Sequence, residues 1–517
     1  METGIAMNGA ESLVHTLLAC GVDTCFSNPG TSEMHFVAAL DRIPGMRCIL
    51  GLQENVVTGA ADGYARMQER PACTLLHCGP GLANGWANLH NARRARSPVV
   101  NLVGDQATHH RPLDAPLTAD TEGLARAVSV WTRTASRAET VGSDCASAVQ
   151  AARTAPGGVA TLILPSDTCW DEGGIVGIRL PDVAVVQASP DAVQDAVRAL
   201  RSGEPAMLIL GGKALRAEAL ALAQGIADAA GARMLSQVSN ARIERGAGRT
   251  PIERVPYPVD MAVATLAGLK HLVLVGAPAP VGFFAYPNKP GHMAPPDCEV
   301  HVLARPEHDL LDALMRVAEA LGVAPAAAPA RIRPAPARGA PTPEGFAQSL
   351  AALLPEGAIV VDEAVSFGRA LFPSTQNAAP HDWLQLTGGA IGEGIPMATG
   401  AAVGAPGRRV VNLQADGSAM YTLQGLWTQA RERLDVTTVI LSNRKYAILL
   451  GEYAGVGANP GRTAMDMMDL GNPDIGWPAI AGGLGVEAVR VDTLEAFGDV
   501  FQQANARPGP FLIELVI

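Results

Sequence analysis

Short apolar runs rich in β-branched residues alternate with longer Ala/Leu-rich helical patterns along nearly the whole chain. A helix between two strands lets the second strand return parallel to the first, so this alternation confines the fold to α/β units with parallel sheets. The pattern falls into three blocks. Residues 1–180 hold the runs "TCFSNP", "CTLLHC", "VVNLVGD" and "ATLILP". Residues 181–323 carry "AMLILGG", a helical stretch from Arg216 to Ala230, then "HLVLVGAP" and "EVHVLA". Residues 346–517 add "AIVVDE", "RRVVNLQAD", "VTTVILSN" and "PFLIELVI". Between the last two blocks, "APAAAPARIRPAPARGAPTPEG" (324–345) is Pro/Ala-rich without apolar period and reads as a linker. The expectation is three doubly wound α/β domains with parallel sheets.

Composition narrows the partners. Lys and Arg number 39 against 50 Asp and Glu, a formal charge of −11 with no basic stripe, so neither nucleic acid nor an anionic membrane is an expected partner. The longest apolar stretch, "HLVLVGAPAPVGFFAYP", is short and broken by prolines, and predicts no membrane span. "METGIAMNGAES" lacks the basic and apolar regions of a secretion signal, and the eight cysteines form no CxxC pair. A cytoplasmic chain with reduced thiols is expected.

The densest chemistry lies in "VVNLQADGSAMYTLQGLWTQARERLDVTTVILSNRKYAIL" (410–449). One strand ends at Ala415, Asp416 follows, and Gly417–Ser418 open a helix; a second strand ends at Asn443, 27 positions after Asp416. Two adjacent parallel strands would bring Asp416 and Asn443 to the same carboxyl edge, where α/β sheets bind ligands. A carboxylate and an amide oxygen suit Mg²⁺, which completes its octahedron with water and phosphate oxygens. The helix start offers backbone N–H groups to those phosphates. By itself, Asp416 reads equally well as a helix N-cap. A second carboxylate stands out in "CILGLQENVVTGAADGYARM" (48–67), where Glu54 follows an apolar strand-like run and precedes a helix of small residues. Burial there would raise its pKa; a solvent-facing glutamate favoured by the helix dipole is the plainer alternative.

The 410–449 stretch resembles the signature of thiamine-diphosphate-dependent enzymes, which include acetolactate synthase, benzoylformate decarboxylase, pyruvate decarboxylase and benzaldehyde lyase. It departs twice: Ala415 replaces a glycine, and Ser442 and Arg444 flank a single asparagine. The resemblance extends over nearly the whole chain and implies pyrimidine-binding, central and diphosphate-binding domains. It makes Asp416, Asn443 and the Lys445 carbonyl the Mg²⁺ ligands, and Gly417, Ser418 and Tyr446 cofactor contacts. "GGAIGEGIP" would contribute Gly389 and Ile391, the latter as the bulky prop beneath the bent cofactor, and "DEAVSFG" a phosphate contact at Ser366. Glu54 matches the glutamate that hydrogen-bonds the cofactor's pyrimidine and promotes formation of the ylid. "FSNPGTSEM" (26–34) resembles the family's Asn-Pro-Gly-Ser/Thr loop and places Asn28, Gly30 and Thr31 beside the cofactor. His77, ending "CTLLH", matches a histidine used for proton transfer.

What the resemblance leaves out is equally specific. A second histidine of benzoylformate decarboxylase aligns with Phe283, and the place near Leu449 lacks the carboxylate that pyruvate decarboxylase puts after its signature, an apolar wall being expected from Ile448 onward instead. His109 and His110 echo a His-His pair of pyruvate decarboxylase, but in a shifted register. A glycine cluster from Gly79 to Gly85 loosely imitates a dinucleotide fingerprint with the wrong spacing. "AMLILGGKALRAEA" has only a short glycine turn, so FAD is not expected. The implied activity is on a 2-keto acid, by decarboxylation or by carboligation, in a homodimer or homotetramer. A non-catalytic paralogue is the alternative, opposed by the intact Glu54, Asp416 and Asn443.

Overall fold

The computed structural model describes residues 7–330 and 332–517. Residues 1–6, on which the expectation of no secretion signal partly rests, and residue 331 of the linker lie outside them.

Three sheets form. The first contains β1 (Thr24–Ser27), β2 (Arg47–Leu50), β3 (Ala72–His77), β4 (Val99–Asp105), β5 (Trp131–Thr134) and β6 (Val159–Pro165), in the order β2-β1-β3-β4-β6-β5. The second contains β7 (Ala206–Leu210), β8 (Arg233–Ser236), β10 (Glu253–Arg254), β11 (His271–Val275) and β12 (Glu299–Ala304), in the order β10-β8-β7-β11-β12, with β9 (Ile243–Arg245) diverted elsewhere. The third contains β13 (Ile359–Glu363), β14 (His381–Gln385), β15 (Val410–Ala415), β16 (Val436–Ser442), β17 (Glu487–Val491) and β18 (Phe511–Val516). Its order is β17-β18-β16-β15-β13-β14-β9. Strands pair in parallel with one exception: β9 adds to β14 antiparallel, with Trp383 opposite Ile243. A three-residue strand carries too little periodicity to be read from sequence.

The linker also ends earlier than its composition implies. A helix begins at Pro343, because Thr342 caps it through Oγ1, 3.1 Å from Gly345 N, and proline suits the first helical position. Among the described residues no helix is long and apolar enough to cross a membrane.

The first and third blocks meet where helix Glu54–Gln68 crosses helix Gly394–Gly404. Glycine is required at this crossing: a Cβ on Gly63 would lie 2.1 Å from Met397 O, and one on Gly400 would lie 1.7 Å from Ala60 O. A buried ion cluster locks the same junction. The Arg66 guanidinium donates to Asp62 Oδ2 at 2.6 Å and to Glu393 Oε1 at 3.0 Å. Burial alone would raise Asp62, but the Arg66 charge holds its carboxyl below the usual range. Burial, opposed by Arg66, pushes Glu393 well above its usual range.

Candidate active site

The amino-terminal half of the site gathers at the carboxyl edge of the first sheet. β2 ends at Leu50, and Gln53 caps the next helix, its Oε1 accepting from Asn55 N at 2.6 Å. Glu54 therefore opens that helix four residues beyond the end of the strand. It is half-buried, with Oε2 accepting from Asn84 Nδ2 at 3.1 Å. A single chain thus leaves one side of Glu54 open to water, which the strand-end reading did not foresee. His77 ends β3, and Gly81 sits between it and Glu54: a Cβ there would be 3.3 Å from Glu54 Oε1 and 3.4 Å from His77 Cβ. The Gly79–Gly85 cluster lies inside helix Cys78–Ala95 and serves packing, not a phosphate loop.

The loop after β1 folds onto this imidazole. Asn28 Nδ2 donates to Gly51 O at 2.8 Å, and a Cβ on Gly30 would lie 2.2 Å from His77 Cγ. Thr31 is exposed and starts a short 3₁₀ turn. The turn brings in two residues that sequence reading missed. Glu33, 3% exposed, places Oε2 3.1 Å from His77 Nδ1 while accepting from Gly30 N at 2.7 Å. Ser32 Oγ lies 3.1 Å from the same ring nitrogen. Their nearness to the Asn-Pro-Gly turn was the available signal; their inward direction was not in the sequence. His109 lies elsewhere, facing Asp167 at 3.7 Å and Trp170.

The carboxyl-terminal half lies at the edge of the third sheet. β15 and β16 are neighbours, with Ala415 opposite Leu441, so Asp416 and Asn443 leave adjacent strands as the spacing predicts. Asp416, 3% exposed, accepts from Gly417 N at 2.8 Å and from Arg444 N at 2.6 Å. Burial pushes its carboxyl up, against those two N–H groups. Asn443 Oδ1 accepts from Lys445 N at 3.1 Å. Lys445 faces Asp469 in a bridge whose bonds run through its neighbours, Tyr446 N to Met468 O and Leu470 N to Arg444 O, so its own carbonyl points away from that bridge. Tyr446 covers Gly417, where a Cβ would lie 2.5 Å from the ring. Ser418 Oγ accepts from Gln414 Nε2 at 2.6 Å.

Ile391 and Gly389 sit on a loop fastened from both blocks. Buried Glu363, at the end of β13, accepts from Gly392 N at 2.6 Å, while Asn91 Nδ2 of the first block donates to Ala390 O at 2.8 Å. Burial pushes the Glu363 carboxyl up. Gly389, at φ +80°, has no room for a side chain: a Cβ would meet the Phe283 ring at 2.6 Å. Phe283 thus stands beside this loop, brought there from the central block. Ser366 is half-buried in the turn after β13. Among the described residues, no hydrogen bond or ion pair joins the Glu54–His77 cluster to the Asp416–Asn443 cluster within one chain.

The donor set at Asp416 fits a hard divalent ion. Its members are a carboxylate, an amide oxygen and a backbone carbonyl turned away from the Asp469 bridge, and among the described residues no ion pair engages the buried Asp416. Two half-sites thus stand at the edges of two sheets, one carrying this oxygen set and one a glutamate and histidine, in a chain that matches thiamine pyrophosphate enzymes in both its first and third blocks. Residues 7–124 match that family's N-terminal TPP-binding domain and residues 368–515 its C-terminal TPP-binding domain, and the chain belongs to this family. It is 52% identical over 516 residues, 99% of each chain, to a Mycobacterium tuberculosis protein provisionally named acetolactate synthase large subunit IlvX. It is 31% identical over 531 residues, 96% of each chain, to the benzoylformate decarboxylase of Pseudomonas aeruginosa. Among solved structures it resembles the thiamine diphosphate-dependent 4-hydroxybenzoylformate decarboxylase of Rhodococcus jostii, with TM-score 0.83, 25% identity and 98% of each chain covered.

Proposed function

We propose that this chain is a thiamine-diphosphate- and Mg²⁺-dependent enzyme that decarboxylates a 2-keto acid and releases an aldehyde or joins the remaining carbons to an acceptor. The observation that carries the reading is the buried Asp416 carboxylate set against the end of β16 beside Asn443. Asp416, Asn443 and the Lys445 carbonyl would hold Mg²⁺, with Gly417 and Ser418 on the diphosphate and Ser366 nearby. Gly389, Ile391 and Tyr446 would line the cofactor, with Ile391 supporting it from beneath. When bound, the cofactor supplies a nucleophilic carbon and a sink for the electron pair left by CO₂.

The protein's own groups handle protons. Glu54 holds or shares a proton with the cofactor's pyrimidine ring, a task that needs a desolvated carboxyl. Its open side is where a second copy's third block would close the site, so we assign a homodimer or homotetramer. His77, held by Glu33 and Ser32, passes a proton to or from the reacting carbons beside Asn28, Gly30 and Thr31. Phe283 and Leu449 present apolar surface toward the substrate's side chain. In this reading the enzyme is cytoplasmic, uses no flavin, and has three domains at 1–180, 181–323 and 346–517, with β9 lent to the third.

Carboligation of the acetolactate-synthase type is favoured by Phe283, which cannot donate a proton where a second histidine would. Product analysis after incubation with pyruvate and with benzoylformate separates the two outcomes. Acetolactate as sole product refutes simple decarboxylation, aldehyde as sole product refutes carboligation, and absence of CO₂ from every 2-keto acid tried refutes both.

A further inference from the structure

A second constellation of ligating side chains lies in the central sheet. β11 and β12 run parallel with His271 opposite Glu299 and Val273 opposite His301. Side chains alternate along a strand, so Glu299 and His301, two residues apart, share a face with each other and with His271. His271 Nδ1 lies 3.1 Å from His301 Nε2, and Glu299 Oε2 lies 3.8 Å from each of these nitrogens. A point equidistant from three atoms so spaced is about 2.1 Å from each, within the range of Zn²⁺ bonds to imidazole nitrogen and carboxylate oxygen.

The outward nitrogens sharpen this geometry. His271 Nε2 meets Glu204 Oε2 at 3.1 Å, and His301 Nδ1 meets Asp195 Oδ2 at 2.7 Å. An ionised carboxylate only accepts, so each outward nitrogen carries the ring hydrogen. With the outward nitrogens engaged in this way, His271 Nδ1 and His301 Nε2 are the two facing nitrogens left to hold a cation between them. A carboxylate behind each imidazole is also how proteins orient histidine ligands and raise their basicity. Both histidines are 8% exposed, whereas Glu299 reaches solvent, so the cup is walled by the protein and open on one side.

We propose that His271 Nδ1, His301 Nε2 and Glu299 Oε2 form a Zn²⁺ site, with solvent as the fourth ligand. Imidazole suits Zn²⁺ and not Mg²⁺, so this ion sorts away from the all-oxygen set at Asp416. The location indicates a structural role. His271 and Glu299 are the first residues of their strands, at the edge opposite the one where α/β sheets bind substrates. The ion clips edge strand β12 to β11. Through Asp195 and Glu204 it also fastens helix Pro190–Leu200 and the turn before β7.

The test is equilibrium dialysis of the chelator-stripped full chain against Zn²⁺ in excess Mg²⁺, with bound metal counted by elemental analysis and Co²⁺ substituted for a visible tetrahedral spectrum. One Zn²⁺ per chain is expected, removed by H301Q, weakened at least about tenfold by E299Q and by about 10–100-fold by D195N. Glu299 is exposed, so E299Q carries the test whatever H301Q does to folding. Glu33, His77 and Cys78 also bring ligand atoms within 4.8 Å of one another, so H77Q is the control and is expected to keep its Zn²⁺. Failure to retain Zn²⁺, or retention at full affinity in E299Q, overturns the proposal.

Discussion

Replacing Arg66 with methionine keeps most of its volume and removes the charge that holds the first and third blocks together. Its side chain is 1% exposed and its two carboxylate partners, Asp62 and Glu393, are 0% exposed. The guanidinium also donates to Gln385 O at 2.7 Å, Thr387 Oγ1 at 3.2 Å and Ala241 O at 3.3 Å, so one substitution strips partners from five groups. Breaking a buried ion pair from one side costs about 3–5 kcal/mol, because the remaining charge stays buried. The pH dependence has a definite sign. Without Arg66, both carboxyls bind protons more tightly in the folded state than in the unfolded one, so the variant loses stability as pH rises above the unfolded carboxyl range near about 4. Urea unfolding followed by tryptophan fluorescence measures both effects. R66M is expected to lose about 3–5 kcal/mol near neutral pH, less at about pH 5 and more at about pH 8, and the triple variant R66M/D62N/E393Q to recover most of the loss. A loss below about 1 kcal/mol, or a deficit that shrinks as pH rises, refutes the assignment of Arg66 as the charge that neutralises this cluster.

Three further substitutions probe the site and its scaffold. G400A puts a Cβ 1.7 Å from Ala60 O, backbone against side chain with nothing flexible to yield, and is expected to destabilise by about 1–3 kcal/mol or more; an unchanged thermal midpoint contradicts the close helix crossing. G417A puts a Cβ 2.5 Å from the Tyr446 ring and displaces it, so thiamine diphosphate titrated in Mg²⁺ is expected to bind about tenfold more weakly, roughly 1.4 kcal/mol; equal affinity contradicts the proposal that this ring lines the cofactor. E33Q removes the charge behind His77 and is expected to lower kcat at least about tenfold with cofactor affinity unchanged, whereas a parallel loss of affinity would make Glu33 merely structural.

How far the sequence reached follows from which interactions are local. Asp416 and Asn443 were legible because each ends a strand with a strong apolar run, and parallel neighbours bring such ends together. The turn at Asn28–Gly30 was legible from its residue types, whereas a place for it beside the cofactor rested on the family resemblance. Glu33 was not, since its carboxylate matters only once the turn has swung it back onto His77, 44 positions away. Arg66 carries no local signal either, since its partners Gln385, Thr387 and Glu393 arrive from the third block. β9 escaped notice for the same reason: three residues pair across a distance in sequence that no local pattern encodes. The openness of Glu54 is different in kind, since a site shared between copies, as proposed above, would leave one wall unbuilt in each chain.

CO₂ release from a panel of 2-keto acids, measured with and without thiamine diphosphate and Mg²⁺ for the native chain and for Glu54→Gln, tests the central claim most directly. The account predicts release only when both cofactors are present, and none from the variant although its circular dichroism matches the native chain. Release that ignores thiamine diphosphate, or a Glu54→Gln protein working at the native rate, would contradict it.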